Sequence, residues 1–452
     1  VGELTVDYAW GGKSRLTNVG ADRIVEIAPP KTAPPRTATS TTPLVVGCTQ
    51  AGVQGQSIAR LWDEAAVQAL RAGNVAAPVQ ARDLLDVSTS MRDAYAAEKA
   101  NAGARNAAIS FAAYRVLVWR ASFGTNLSKT FALLTERLRS LCYSPDFTST
   151  AGDSPAALGN RIAAAAIAAG RHDGSLEALH YVDTSYVPMN GPLVVSGSGS
   201  TVHDPTFWQP LALGQVAANG LAPIPAKIQS FVGSQWGDVR SFAKGRPIDP
   251  GPPPFGDPTA ASYKQAAVAV IRASSRAGTA IAGSSPADWN ARANTVRDSS
   301  LQRDLKRYVA LNGALNDAAI ATYGAKRKYQ SPRPISMIRY LAFAGQLPLV
   351  PGLIEVRNGK VQVRLEGRWV LGAGWTPPAP TPASPGWVSE ASAFSYAAAD
   401  VLTALTGRSF TRQAEQFSRG GVAGGIETPA DMSAGRALGK AVGKRALAQA
   451  LR

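Results

Sequence analysis

Along most of this chain the apolar positions return every three or four residues, which is the period of a helix with one buried face. Ile58, Leu61, Trp62 and Ala65 share such a face, and Gly73-Asn74 supplies the stop. Further helices are predicted at about 79–98, 104–121, 126–141 and 154–170. In the stretch 104–121, Ile109, Ala112, Ala113, Val116 and Leu117 form one apolar stripe. The helical period resumes at about 259–282, 287–296 and 299–325, and again at about 389–406 and 431–451.

Three segments break the period. Residues 1–55 are rich in Gly, Pro and Thr and read as an extended arm with one short strand. Residues 182–258 carry Pro188, Pro192, Pro205, Pro210, Pro223 and Pro252-Pro253-Pro254, which exclude long helices. So long an irregular excursion in a compact domain has a task, such as covering a cleft or making an interface. Residues 353–371 alternate apolar and polar positions on either side of Asn358-Gly359, a hairpin turn signal, and are predicted as a β-hairpin. A Pro-rich linker, 376–385, follows. The predicted fold is mostly α: an arm at 1–55, then a helical domain over 56–452 with one hairpin and one excursion.

Composition bounds the rest. The 452 residues are 45% apolar and 17% charged, enough to bury a large core. No apolar run is long enough to cross a membrane as a helix. The formal net charge of +16 comes from scattered Arg and Lys, with no basic run and no interleaved aromatics. That argues against nucleic acid and leaves a solvated surface or a partner with an acidic surface. Cys48 and Cys142 match no metal or redox spacing. They are compatible with one disulfide in an exported protein or with two buried thiols. A start at Val1, without Met or an apolar leader, suits a processed exported protein or a trimmed chain.

The chemistry concentrates near residue 326. Lys326 closes a predicted helix, and Arg333-Pro334 follows seven positions on, so both cations can converge on one tetrahedral oxyanion. A basic helix end that complements the helix dipole would look the same in isolation. The surrounding residues distinguish the two. The stretches 307–322 (RYVALNGALNDAAIAT) and 335–344 (ISMIRYLAFA) resemble those that flank this motif in bacterial vanadium-dependent haloperoxidases, relatives of the type-2 phosphatidic acid phosphatases. So do 62–73, 183–195 (DTSYVPMNGPLVV), 207–210 (FWQP), 230–237 (SFVGSQWG) and 367–377 (GRWVLGAGWTP). The resemblance covers most of the chain from about residue 58.

That resemblance implies helical bundles and an oxyanion pocket built from three motifs. The Lys-and-Arg motif is intact in Lys326 and Arg333. The family's Pro-Ser-Gly-His reads Val388-Ser389-Glu390-Ala391, so Ser389 survives while Glu390 and Ala391 replace Gly and the acid/base His. The third motif, an Arg followed by the His that holds vanadium, reads Arg419 and then Gly425-Ile426-Glu427. The three histidines, His172, His180 and His203, lie far from these motifs and read as surface or loop residues. Asp86, Asp93 and Glu98 read as packing and capping residues of one helix. Gly-rich 420–425 lacks the Lys-Ser/Thr of a phosphate loop.

Ala391 cannot move a proton. The expected site is therefore a remnant in which Lys326, Arg333 and Arg419 converge and Glu390 and Glu427 neutralise them. No catalytic residue, metal or cofactor is expected, although vanadate is implied for intact family members. The function this suggests is a catalytically degenerate structural or interaction subunit of an exported assembly, as a homo-oligomer or with an acidic protein partner, the arm lying across a neighbour. The alternative is an enzyme with altered chemistry, a phosphatase or a cofactor-free catalyst using Glu390 or Glu427 as base. A true haloperoxidase with non-covalent vanadate is a third reading.

Overall fold

Helix starts are marked by side chains that compete for the first free backbone N–H groups. Ser57, Asn101, Ser154, Ser285, Ser389 and Thr428 each accept such a bond from the helix that follows. A cap of this kind contributes about 1 kcal/mol. In the computed structural model, which describes residues 4–7, 13–16, 42–45, 47–48, 55–214, 227–276, 284–297 and 300–451, the helices come in two runs. The first run is α1 (Ile58–Ala72), α2 (Ala77–Ala97), α3 (Ala102–Ala121), α4 (Leu127–Ser140) and α5 (Pro155–Gly170). The second is α6 (Ala261–Ser274), α7 (Pro286–Ala293), α8 (Leu301–Tyr329), α9 (Pro334–Phe343), α10 (Glu390–Thr406), α11 (Thr411–Ala423) and α12 (Pro429–Ala450). Among the described residues no helix is long and apolar enough to cross a membrane.

Helix α8 organises the molecule. It packs on α2 from the first run and on α10 and α12 from the second, so two bundles share one central rod. Its burial is correspondingly complete: Tyr308, Leu311, Leu315, Ala318 and Ile320 are all inaccessible. The expected meeting of α8, α10 and α12 is found. Helices α10 and α12 approach closely because Gly435, Gly439 and Gly443 form one edge of α12, four residues apart. A Cβ on Gly439 would stand 2.4 Å from the Ala393 carbonyl oxygen.

The structure corrects the sequence reading in several elements. Helices α9 and α11 add to the helices expected from the sequence. The first follows Pro332 closely but starts with Pro334 at its first position, where a missing N–H costs nothing. The second contains Gly420-Gly421, and its packing on α10 and α12 outweighs their poor propensity. The predicted hairpin is a three-stranded antiparallel meander. Strands β6 (Ile354–Arg357) and β7 (Lys360–Leu365) pair across Asn358-Gly359, and β8 (Arg368–Leu371) adds to β7 across Glu366-Gly367, both at positive φ.

Among the described residues the excursion is irregular apart from three short strands, β3 (Leu193–Val194), β4 (Leu211–Leu213) and β5 (Lys227–Ile228), and one 3-10 turn at Trp236–Asp238. It is tied to α8 by two aspartates. Asp317 accepts the Phe242 and Ala243 N–H groups at 2.6 and 2.8 Å. Asp183 accepts from Ser185, Ser234 and Arg327. Burial pushes its carboxyl up, but those bonds outweigh burial and hold it well below the carboxylate range. Arg339 of α9 is buried and donates to the carbonyls of Val195, Gly197 and Trp375, so a cation ties two separate segments of chain to α9.

Most of the predicted arm lies outside the described residues. Of its described parts, Leu4–Asp7 and Lys13–Leu16 form a two-stranded antiparallel ladder, β1 and β2. Its end packs on its own chain: Val45 donates to the Cys142 carbonyl at 2.9 Å, and Ser144 to that of Pro43 at 2.9 Å. Cys48 and Cys142 are joined in a disulfide there, which decides between the two readings of the cysteines.

Candidate functional site

The geometry of the site follows from how α8 ends. Gln330 takes the left-handed conformation that terminates the helix, its N–H returning to the Lys326 carbonyl at 2.9 Å. The chain then turns through Ser331-Pro332, and Arg333 becomes the residue before α9. Lys326 and Arg333 thus flank one corner, and both are buried, with 0% and 2% of their surface exposed.

That corner is filled by protein. The Lys326 ammonium donates to the carbonyls of Pro385 at 2.7 Å and Gly386 at 3.2 Å. The Arg333 guanidinium donates to the Ser384 carbonyl at 2.8 Å, the Ser384 hydroxyl at 3.1 Å and the Ile426 carbonyl at 3.0 Å. Gly386 is itself held by its N–H on the Ser331 carbonyl at 3.0 Å. The end of the Pro-rich linker therefore wraps both cations with its backbone.

Three carboxylates surround them. Glu427 is 4% exposed, hydrogen-bonds the Ser389 hydroxyl and acts as an opposite charge on both Arg333 and Lys326. It lies directly over Gly421, where a Cβ would meet its carboxylate. Asp431 is fully buried and forms a reciprocal cap with Thr428 at the start of α12. Glu390 is half-buried at the start of α10, where it accepts the Tyr323 hydroxyl at 2.7 Å. Ser389 caps the same helix and reaches Asp431 through its N–H, 3.0 Å from the Asp431 carbonyl.

Burial sets the electrostatics. It lowers the Lys326 ammonium to about 7, with Arg333 pushing the same way and the three carboxylates opposing. Burial likewise raises the Glu427 and Asp431 carboxyls, against the pull of Arg333 and Lys326. Two cations and two carboxylates closed away from water, with the half-buried Glu390 at their edge, are a self-compensating ion network in which the neutral forms gain.

One sequence expectation is corrected, and two further residues join the corner. Arg419 does not converge on the pair. It is on the outside of α11 with 69% of its side chain exposed, paired with Glu415 one turn earlier at 2.9 Å. Its neighbour Ser418 takes the inward position, bonded to the Ser392 hydroxyl at 2.6 Å, and a residue one step on is rotated away by about 100°. Ala391 is half-buried in the first turn of α10, and the three histidines are exposed, away from this buried corner. Asp431 and Ser384 also belong to the corner. Asp431 had a signal, since Thr428-Pro-Ala-Asp431 is a capping pattern. Ser384 had none. Asp86 pairs with Arg120 between helices, and Glu98 accepts the Ala100 N–H at 2.8 Å.

Comparison with known proteins follows the same lines. Residues 306–417 match a family model described as the VCPO second helical-bundle domain. That span includes Lys326, Arg333, Ser389 and Glu390 and stops short of Glu427. Among solved structures the chain is similar to a holo-type bacterial vanadium-dependent chloroperoxidase, with a TM-score of 0.61 and 16% identity over 87% of this chain and 91% of that one. The apo-type bacterial chloroperoxidase gives 0.58 and 17% over 87% and 92%. A bacterial vanadium-dependent iodoperoxidase gives 0.55 and 15% over 86% and 95%. No curated protein matches the sequence.

Proposed function

The chain has the fold of the vanadium haloperoxidase superfamily, and we propose that it is a catalytically degenerate form whose oxyanion corner is closed from within and which serves as a structural or interaction subunit. One observation carries this reading: Lys326 and Arg333 are buried and direct their donors at Ser384, Pro385, Gly386 and Ile426. Vanadate is the group the fold implies, and the residues here do not fit it. The backbone and Ser384 take hydrogen bonds an oxyanion would need, and Glu427 and Asp431 stand beside the corner as negative groups. No histidine is there to act as acid, base or ligand.

Exterior features support the interaction role. Arg419 and Arg436 flank Glu415, and Arg436 and Lys440 lie over the Tyr396 ring at 4.9 and 5.6 Å, a basic patch suited to an acidic protein surface. The Cys48–Cys142 disulfide supports export to an oxidising compartment.

The test is a pair of assays on the whole protein. Incubation with vanadate, halide and peroxide is expected to give no halogenating turnover, and phosphate is expected to leave the melting temperature unchanged. Stabilisation by phosphate would mean that the corner opens to an anion. A second reading, an enzyme with altered chemistry, is favoured by one fact: an ammonium lowered to about 7 is poised for acid/base work. Hydrolysis of a chromogenic phosphate ester, lost on Lys326→Met, would select it.

A further inference from the structure

A cavity of about 640 Å³ lies beside α8, between the α1–α2 turn, the segment after α3 and the excursion. Tyr323 connects it to the ion network: its ring stacks on Phe231 of the cavity wall, and its hydroxyl holds Glu390. The volume is in the range of small-molecule sites, about 300–1,000 Å³.

The wall is aromatic. Phe123, Tyr181, Tyr186, Trp208, Phe231 and Trp236 line it, with neighbouring ring centroids 5.0 to 6.2 Å apart. Most of its polar groups are already engaged, Arg120 by Asp83 and Asp86 among them, while the buried indole N–H groups of Trp208 and Trp236 have no partner among the described residues and suit a single neutral acceptor on a guest. The Tyr186 hydroxyl donates to Gln330 at 3.0 Å, and the Thr125 hydroxyl to the Gly73 carbonyl at 2.8 Å. Gln229 accepts from the Leu211 N–H and donates to the Thr381 carbonyl. The Asn190 amide donates to the Asp204, Phe207 and Trp208 carbonyls and accepts the His203 and Asp204 N–H groups. Asp183 is held by Ser185, Ser234 and Arg327. A charged guest would lose water and find the charged lining residues, Arg120 and Asp183, already paired. A neutral ring compound would find edges and faces to pack against. The rim agrees with this, since Val182 and Ile228 line the cavity yet are each 56% exposed, and an apolar guest covers them.

We propose that this cavity is a binding site for a neutral, predominantly apolar aromatic or alicyclic small molecule. The proposal does not depend on the closed ion network, because an anion at Lys326 and a neutral guest here respond to different probes.

The experiment uses the whole protein and the neutral dye N-phenyl-1-naphthylamine. Saturable binding at one site per chain is expected, with energy transfer from Trp208 and Trp236. Naphthalene is expected to displace the dye, and naphthalene-2-carboxylate at the same concentration is not. Val182→Asp and Ile228→Asp place a charge at the mouth, on exposed positions, and each is expected to weaken binding about tenfold or more. The comparison is read on whichever variant keeps the parent melting temperature. Absence of saturable binding, equal displacement by the carboxylate, or binding unchanged in a folded variant would overturn the proposal.

Discussion

Glu427 is the residue on which the closed corner turns. Removing its charge while leaving Lys326 and Arg333 buried breaks a desolvated pairing, so Glu427→Gln is expected to destabilise the fold by about 3–5 kcal/mol. Denaturant melts would measure it. Adding Lys326→Met removes the opposing charge in a similar volume, and the double variant is expected to be more stable than Glu427→Gln alone. An anion-binding corner would behave in the opposite way, with Glu427→Gln gaining stability in phosphate. Lys326 also gives a pH signature. Its ammonium is lowered from 10.5 to about 7, so the unfolded chain binds the extra proton between those values. Its contribution is fully present above 10.5 and is lost as pH falls through about 7. Melting temperatures of the parent and Lys326→Met, compared at intervals across that window, should therefore show the variant losing its relative advantage as pH rises.

At the level of elements, the site depends on how closely α12 approaches α10. The Gly435, Gly439 and Gly443 edge lets the backbones meet, which brings Asp431 against Ser389 and puts Glu427 over Gly421. Gly439→Ala is a direct probe. In an exposed helix the change would add about 0.5–1 kcal/mol of stability. Here the added methyl meets the backbone at Ala393, which cannot rotate aside, and a net loss of about 1–3 kcal/mol is expected from overpacking. A neutral or stabilising result in thermal melts would show that the two helices can separate at little cost. Ser384 to Gly386 is the other decisive element. Its proline, Pro385, suppresses helix, and the carbonyls of the segment point where two cations need acceptors.

Across the whole molecule, one covalent link and one shared helix hold the parts together. The Cys48–Cys142 disulfide closes a span of 94 residues over α1 to α4. Replacing both cysteines by Ser, or reducing the bond, is expected to lower stability by about 2–4 kcal/mol, mainly through the freedom regained by the unfolded chain. A denaturation midpoint that does not move on reduction would show that the bond fixes only the end of the arm. Helix α8 belongs to both bundles and also anchors the excursion through Asp317 and Arg327. The ion network and the aromatic cavity are therefore attached to the same rod, with Tyr323 between them.

The helical class was legible from the sequence because amphipathic period and capping are local properties, and the stripe at 109–117, the turn at Asn358-Gly359 and the cap at Ser389 act within a few residues. The motif residues Lys326, Arg333 and Ser389 were legible too, through the resemblance that gives Ala391 and Glu427 the positions of histidines. The direction of Arg419 was not, because the chain's spacing says how far a side chain is from a motif and not which side of a helix it takes; that was decided by Ser418 packing against Ser392. Helix α11 was hidden for a related reason, since its two glycines favour a loop until α10 and α12 supply a surface to bury them. The acceptors for Lys326 and Arg333 lie 51 to 93 residues away and are mostly backbone carbonyls, which every residue has. No local pattern distinguishes such a carbonyl. Only the tertiary structure decides that these few point inward, because only there does burial make each unpaired charge costly enough to select its partner.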